Sequence, residues 1–149
     1  MLLINTTVMA NIEHLLTIKV PAAQVYKTLT TRQGLGAVWT TELQVYNDVG
    51  AINEFTFGND TDRMKIVALV PDKKIVWEVV ASDPEWVRTT VRFELEDKGA
   101  KTAITLKHEG WREVTDFFRS CNYNWAFFLY SLKSYCEEGK GMPYQHRKF

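Results

Sequence analysis

The chain has 149 residues, a length typical of one domain with a substantial buried core. Its 18 basic and 18 acidic side chains give a formal net charge of zero. No stretch collects the run of like charges that would favour nucleic acid or an anionic membrane surface as a partner. The apolar segment 1–10 is too short for a secretory signal or a membrane span, so we expect an N-terminal tail there.

The first patterned segment predicts a strand followed by a helix. Residues 11–20 alternate between apolar and polar side chains, which is the period of a half-buried strand. Pro21 ends this strand and suits the first turn of a helix. Gly34 and Gly36 are predicted to end that helix. Its apolar positions share one face at helical spacing: Val25, Tyr26 and Leu29.

From Trp39 onward the sequence keeps a period of two as far as Gly110. The segments with this period are "WTTELQVY", "AINEFTFG", "RMKIVALV", "KKIVWEVV", "EWVRTTVRFELE" and "KTAITLKHEG". Turn-forming sequences such as "NDVG", "VPDKK" and "ASDP" separate them. Short turns join antiparallel neighbours, so the pattern predicts a meander of six strands.

A long amphipathic helix is predicted over residues 113–141, and Gly139 is well placed to end it. An antiparallel sheet with one apolar face must cover that face, and this helix is the only element long enough to do so. Its apolar residues recur every three or four positions: Val114, Phe117, Phe118, Cys121, Trp125, Phe128, Leu129, Leu132 and Cys136.

The two cysteines, Cys121 and Cys136, lie in this one helical pattern. The rise of the helix separates them by roughly 22 Å, which is far beyond the limit of about 7 Å for a disulfide. The sequence therefore predicts buried free thiols, which fits a reducing cytoplasm. A reactive thiol is the alternative, but no basic cluster lies beside either cysteine.

Aromatic side chains make up 13% of the chain, and strand parity directs many of them to the side of the sheet that faces the helix. Two interpretations remain open. The rings fill the core of a curved sheet, or they line a cavity that they do not fill, as in many sites for apolar ligands. The inward positions by parity are Phe55, Phe57, Ile75, Trp77, Val79, Val91, Phe93, Leu95, Ile104, Leu106 and His108.

His108 is the main polar candidate on this inward face. It is either a hydrogen-bonded core residue or a polar contact for a ligand. His14 has the same parity but lies near a strand end, and His146 lies in the polar C-terminal tail. Because no set of residues has the spacing of a metal site, we predict neither a metal ion nor a cofactor.

Sequence motifs of catalysis are missing from the chain. We find no nucleophile elbow, phosphate loop, dinucleotide fingerprint or zinc-type cysteine spacing. Acid/base chemistry from residues that are distant in sequence, such as His108 with Glu42 or Tyr123, stays open. No catalytic residue is assigned, and an enzyme is an alternative rather than the expectation.

Several phrases carry a family resemblance when taken in order. They are "IKVPAAQVYKTLTT", "GLGAVWT", "NEFTFG", "VPDKKIVWEV", "VRFELEDKGAKTAITLKHEGW" and "WAFFLYSLKSYCEEGKGMP". Together they resemble the START-like SRPBCC superfamily, and within it the bacterial branch related to the C-terminal domain of the activator of heat-shock protein 90 ATPase. The resemblance spans residues 11–143 as a single domain and leaves 144–149 as a C-terminal tail.

The resemblance implies an α+β helix-grip (START/Bet v-like) fold. In that fold a curved antiparallel sheet of about seven strands wraps around a long C-terminal helix, with a pocket between them. Two short helices are expected after the first strand, and Trp39 would follow the second of them at the rim of the pocket. The glycines before Trp39 would permit a tight reversal of the chain.

Three functions remain open under this resemblance. The favoured one is a cytoplasmic protein, monomer or homodimer, that binds an apolar or aromatic small molecule in the cavity. The second is a stress-related interaction module that contacts heat-shock protein 90 through the outer sheet surface, where Arg88 and Arg92 lie. The third is a cyclase, lyase or hydrolase that uses the same cavity. The side chains expected to line the cavity are Trp39, Phe55, Phe57, Trp77, His108, Trp111, Phe118 and Trp125.

Overall fold

A computed structural model describes residues 9–148, so most of the predicted N-terminal tail lies outside the described residues. The strands are β1 (Ala10–Ile18), β2 (Glu42–Gln44), β3 (Ile52–Phe57), β4 (Asp60–Val70), β5 (Lys74–Ala81), β6 (Thr90–Asp97) and β7 (Thr102–Trp111). The helices are α1 (Ala22–Thr30), α2 (Arg32–Val38) and α3 (Asp116–Glu138), and a 3-10 turn follows at Tyr144–His146.

The strands form one antiparallel sheet in the order β1-β7-β6-β5-β4-β3-β2. Strands β2 to β7 follow one another as a meander, and β1 pairs with β7, where His14 lies opposite Leu106. Register shifts interrupt the ladder once between β1 and β7 and twice between β4 and β5. Such bulges add twist and bend a sheet. The predicted helix-grip fold, with its sheet curved around α3, is confirmed.

Helix α3 is bounded by two well-formed caps. The hydroxyl of Thr115 accepts a hydrogen bond from the backbone N–H of Phe118 at 3.1 Å, and Gly139 ends the helix with φ 77°. The prediction of a helix from residue 113 is corrected, because Val114 precedes the Thr115 cap and is 50% exposed. The buried stripe of the helix is Phe118, Cys121, Trp125, Phe128, Leu129, Ser131, Leu132 and Cys136.

The prediction that Gly34 and Gly36 end the first helix is wrong, because both lie inside α2. The first helix ends at Thr30, and the hydroxyl of Thr31 then caps α2 by accepting from the N–H of Gly34 at 3.1 Å. A Cβ atom at Gly34 would lie 2.1 Å from the carbonyl oxygen of Thr28. Glycine is therefore needed for the close approach of α1 and α2, not for a reversal of the chain.

Two predicted strands are shorter than their period suggested. The segment 39–46 is paired only at Glu42–Gln44, and β6 begins at Thr90 rather than near residue 85. The side chain of Asp83 accepts from the N–H of Glu85 at 2.9 Å, which starts a loop. Arg88 follows with φ 74°, a left-handed value that a strand does not adopt.

Parity predicted the buried face of the sheet well. Ten of the eleven inward positions are buried, and the other, Phe57, is half-buried at the end of β3. Both cysteines are buried free thiols, as predicted. Across residues 9–148, none of the helices combines the length and apolar character that crossing a membrane would need.

Candidate functional site

A cavity of about 750 Å³ lies between the N-terminal half of α3 and the ends of β3, β4 and β5. Aromatic side chains form its walls: Trp39, Phe57, Trp86, Phe117, Trp125 and Tyr144. Its polar and charged lining includes Asn59, Asp60, Asp62, Asp83, Asn124 and Arg147. Since four of these polar positions are exposed, the cavity opens to solvent on that side.

The aromatic walls are in contact with one another. The ring centroid of Trp39 lies 5.1 Å from that of Phe57 and 5.4 Å from that of Trp125. On the other side Trp86 stacks on Trp125 at 5.9 Å, with their planes 12° apart. Each ring restricts the rotamers of the next, so the walls are rigid although the rings do not fill the space between them.

Trp39 is positioned by backbone hydrogen bonds to α2 and to the segment that follows α3. It caps the C-terminus of α2 through its N–H, which donates to the carbonyl of Leu35 at 2.8 Å. Its own carbonyl accepts from the N–H of Tyr144 at 2.7 Å. The ring of Tyr144 then meets Phe57 edge to face at 5.5 Å. These contacts hold Trp39 at the cavity wall, 6% exposed.

The segment predicted as a C-terminal tail supplies part of this site. The guanidinium of Arg147 donates to the carbonyls of Met142 at 2.7 Å and Val38 at 3.1 Å. It also lies 4.7 Å from the ring centroid of Phe127. Burial lowers the pKa of Arg147 to about 10, and the group stays charged at pH 7. Residues 144–148 are thus packed against the domain.

His108 forms part of a hydrogen-bond chain behind the cavity. The indole N–H of Trp125 donates to Nδ1 of His108 at 2.9 Å, so the ring proton is on Nε2. That Nε2–H donates to the hydroxyl of Thr89 at 2.7 Å, and this hydroxyl donates to the carbonyl of Trp86. These hydrogen bonds link α3, β7 and the loop between β5 and β6. They hold the indole of Trp125 and the backbone of Trp86 in place.

This environment does not suit His108 for acid/base chemistry. The ring is 0% exposed, and burial lowers the pKa of His108 to about 3. It is therefore neutral at pH 7, and both of its nitrogens are already hydrogen-bonded. Of the two interpretations left open by the sequence, the geometry supports the hydrogen-bonded core residue. His108 acts by positioning other residues.

The β5–β6 loop, residues 82–89, holds Trp86 over the cavity. Arg112 donates from its guanidinium to the carbonyls of Pro84 and Val87, which ties this loop to the end of the sheet. The indole N–H of Trp86 contacts the sulfur of Cys121 at 3.3 Å. Burial raises the pKa of Cys121 to about 12, so the cavity holds a thiol rather than a reactive thiolate.

Three carboxylates lie at the mouth of the cavity, on Asp60, Asp62 and Asp83. Burial is the main cause that raises the pKa of Asp62, and the charges of Asp60 and Asp83 add to it. The hydroxyl of Ser82 opposes this shift by donating to Asp62 at 2.5 Å. These groups accept hydrogen bonds and attract positive charge. Among residues 9–148, no three His, Cys, Asp or Glu side chains are placed so that together they could hold a metal ion.

The structure separates the eight predicted lining residues into two sets. Trp39, Phe57 and Trp125 line the cavity. The other five are buried outside it: Phe55, Trp77, His108, Trp111 and Phe118. Trp77 packs between Phe55 and Phe93, and Trp111 packs on His108 and Phe118. Whether the lining set binds a ligand stays a prediction.

Among the lining residues, sequence reasoning missed Trp86, Tyr144 and Arg147, and it chose Phe118 of α3 in place of Phe117. Trp86 lies in a segment whose alternation reads as strand, and only the Asp-Pro pair before it signals the loop. Tyr144 and Arg147 follow a proline after the last helix, where polar sequence is typical of a tail. Nothing in their own spacing indicates a return to α2, because the partner atoms there are backbone carbonyls.

Comparison with known proteins places this architecture in a family. The model of the activator of Hsp90 ATPase homolog 1-like proteins matches residues 19–137. Aha1 of Colwellia psychrerythraea, solved as a dimer in solution, is 36% identical, with 89% of this chain and 99% of that chain covered and a TM-score of 0.83. No match was found among curated proteins.

More distant structures share the fold. Protein MLL2253 of Mesorhizobium loti is 18% identical over 84% of this chain and 95% of its own, with a TM-score of 0.74. DynU16, from the dynemicin biosynthetic locus, is 18% identical over 88% of this chain and 48% of its own, with a TM-score of 0.73. The family model matches most of the length of the present chain, residues 19–137. This chain therefore belongs to the activator of Hsp90 ATPase homolog 1-like proteins.

Proposed function

We propose that this protein binds an apolar or aromatic small molecule in the cavity between the sheet and α3. The observation that carries the proposal is the contrast between the two sets of rings. Phe55, Trp77 and Phe93 are fully buried against each other, whereas six other rings surround a space of about 750 Å³. Ligand sites typically have volumes of roughly 300–1,000 Å³ and mostly apolar walls.

The first test is native mass spectrometry of the protein isolated from its own organism, compared with the same sample after denaturation. A reproducible extra mass that is lost on denaturation supports the proposal, and it gives the elemental composition of the ligand. A cavity that stays empty in the cell predicts identical masses in both spectra. Binding of an added aromatic probe then decides whether the space accepts a ligand at all.

A matched pair of substitutions distinguishes a residue that lines the cavity from a residue of the core. Phe57→Ala removes a half-buried lining ring, so the affinity for 1-naphthylmethanol is expected to fall about fivefold to tenfold because ring contacts are lost. Trp77→Ala removes a buried ring outside the cavity, and we expect the free energy of unfolding to fall by about 3–5 kcal/mol. Calorimetric titration and urea unfolding measure the two quantities.

The two variants are expected to rank in opposite order in the two measurements. In the folded Trp77→Ala protein, the affinity for the probe should fall less than in Phe57→Ala, because all six lining rings are kept and only the support of Trp39, on which Trp77 stacks at 6.3 Å, is lost. If Phe57→Ala binds the probe as tightly as wild type, the space beside Phe57 is not a ligand site.

A chaperone contact is the second candidate function, and the family to which the chain belongs favours it. The outer sheet surface offers Arg92, which pairs with Glu109 at 3.1 Å, while Arg88 lies in the loop before β6 and is exposed. The ATPase rate of heat-shock protein 90 from the same organism, measured with and without this protein, tests the proposal. An unchanged rate at saturating protein argues against it.

A homodimer is the assembly that we propose, because the similar Aha1 of Colwellia psychrerythraea is a dimer. In this chain β1 is an edge strand, and its Leu15 is 73% exposed. Light scattering coupled to size exclusion measures the mass. A mass of one chain, 17.2 kDa, at micromolar concentration contradicts a stable dimer.

A further inference from the structure

We propose that the ligand of this cavity carries a positively charged amine, with its apolar body among the aromatic rings and its ammonium group beside Asp62 and Asp83. This inference rests on the proposed function and adds the chemical class of the ligand. It follows from the way in which charge and rings are distributed around one opening, and neither feature alone would specify a cation.

The carboxylates at the mouth have no cationic partner among the residues that the structure describes. Among residues 9–148, the ion pairs on the sheet occupy other carboxylates, such as Glu54 with Arg63 and Glu94 with Lys107. Asp60, Asp62 and Asp83 take part in no ion pair within that range. Asp62 and Asp83 accept hydrogen bonds from the Ser82 hydroxyl and from a backbone N–H, and these bonds supply no positive charge.

Among the described residues that line the cavity, Arg147 is the one cation, and its hydrogen bonds go to groups other than these carboxylates. Its guanidinium donates to the carbonyls of Val38 and Met142 and lies over the ring of Phe127. No ion pair joins it to the three carboxylates. Arg147 keeps its charge, but three carboxylates against one guanidinium leave the lining net negative, so an anionic ligand would meet repulsion at the mouth.

The aromatic walls favour the same sign of charge. The faces of indole rings attract cations, with tryptophan the strongest of the aromatic side chains. Three lining residues are tryptophans, Trp39, Trp86 and Trp125, and the last two are stacked. A protonated amine beside them gains cation–π attraction from the rings and ionic attraction from the carboxylates, whereas a neutral alcohol keeps only a hydrogen bond to a carboxylate.

The carboxylates are also close enough to disfavour one another's charge. Burial raises the pKa of Asp62, and the charges of Asp60 and Asp83 raise it further, which means that the ionised cluster is unfavourable in the empty protein. An ammonium group beside Asp62 would relieve this repulsion. The same cation placed beside Glu94 on the outer sheet surface would find that carboxylate already paired with Lys107.

The test uses three probes with the same ring system, namely 1-naphthylmethylammonium, 1-naphthylmethanol and 1-naphthoate, titrated calorimetrically at pH 7 and low salt. We expect the cation to bind roughly fivefold to tenfold more tightly than the alcohol, and the carboxylate to bind most weakly. Raising the salt concentration should reduce the preference for the cation, because the mouth of the cavity is solvent-exposed.

Three variants test which residues cause the preference for the cationic probe. Asp62→Asn keeps an acceptor for the Ser82 hydroxyl, and Asp83→Asn removes the second charge; each should lower the affinity for the cation by about threefold and leave the affinity for the alcohol unchanged. Glu138→Gln is the control, since it removes one exposed charge at the far end of α3. That control should bind all three probes as wild type does.

The outcomes distinguish this inference from the proposed function. Binding of the alcohol and the cation with equal affinity, or unchanged affinity for the cation in both aspartate variants, overturns the amine and leaves a cavity for neutral ligands. Tighter binding of 1-naphthoate overturns it as well. If none of the three probes binds, the proposed function fails and this inference fails with it.

Discussion

Gly34→Ala is expected to lower the free energy of unfolding by about 3 kcal/mol or more. A Cβ atom at position 34 would lie 2.1 Å from the carbonyl oxygen of Thr28 and 2.5 Å from its Cα atom. These are backbone atoms of α1, so no side-chain rotation can relieve the overlap. The two helices must separate, and Trp39, which caps α2, would leave the cavity wall with them. Urea unfolding measures the loss.

Gly36→Ala is the matched control because it lies in the same helix. There the nearest atom to a new Cβ is Cδ2 of Leu43 at 3.8 Å, an ordinary contact. Alanine favours a helix over glycine by about 0.5–1 kcal/mol, so this variant should be more stable than wild type. Equal effects of the two substitutions on stability would show that close approach of α1 and α2 does not explain glycine at position 34.

The fold was predictable because it depends on hydrophobic period. Alternation along β3 and β5 to β7 assigned the buried face nearly without error, since one face of an antiparallel sheet must be apolar. The errors occurred where a tertiary contact overrides local signals. Glycine usually ends a helix, but Gly34 is inside one because Thr28 approaches it closely.

The site was less predictable because parity tells which side a residue faces and not how far from its neighbours it lies. Phe55 and Phe57 share one face of β3, yet Phe55 is 0% exposed in the core and Phe57 lines the cavity. The difference arises from position along the strand, because Phe57 is the last residue of β3. Trp86 comes from a loop and Tyr144 from the residues after the last helix, and neither segment has a hydrophobic period from which to predict it.

The stability of this protein is expected to fall as the pH falls from 6.5 towards 3, because of one buried histidine. In the folded state the pKa of His108 is lowered to about 3 by burial, from an ordinary value of 6.5. Below pH 6.5 the unfolded chain therefore binds a proton at this position that the folded chain does not. The stabilisation is complete above pH 6.5 and is lost progressively down to pH 3.

The expected slope is about 1.4 kcal/mol per pH unit for one proton, on the order of 5 kcal/mol over the whole window. Carboxylates titrate in the lower part of that window, so the measurement is best made between pH 6.5 and 5. Urea unfolding at half-unit intervals of pH gives the free energy, and NMR follows the ring of His108. The ring signals should not shift above about pH 4.

Replacement of His108 tests the assignment of this slope. His108→Gln is expected to be less stable at pH 7 by about 2–4 kcal/mol, since glutamine cannot reproduce both the bond from Trp125 and the bond to Thr89. Its stability should nevertheless be nearly independent of pH between 6.5 and 5. The control is His146→Gln, an exposed position, which should keep the slope of wild type. A slope that persists in His108→Gln would mean that other groups cause it, and its assignment to the burial of His108 would then have to be abandoned.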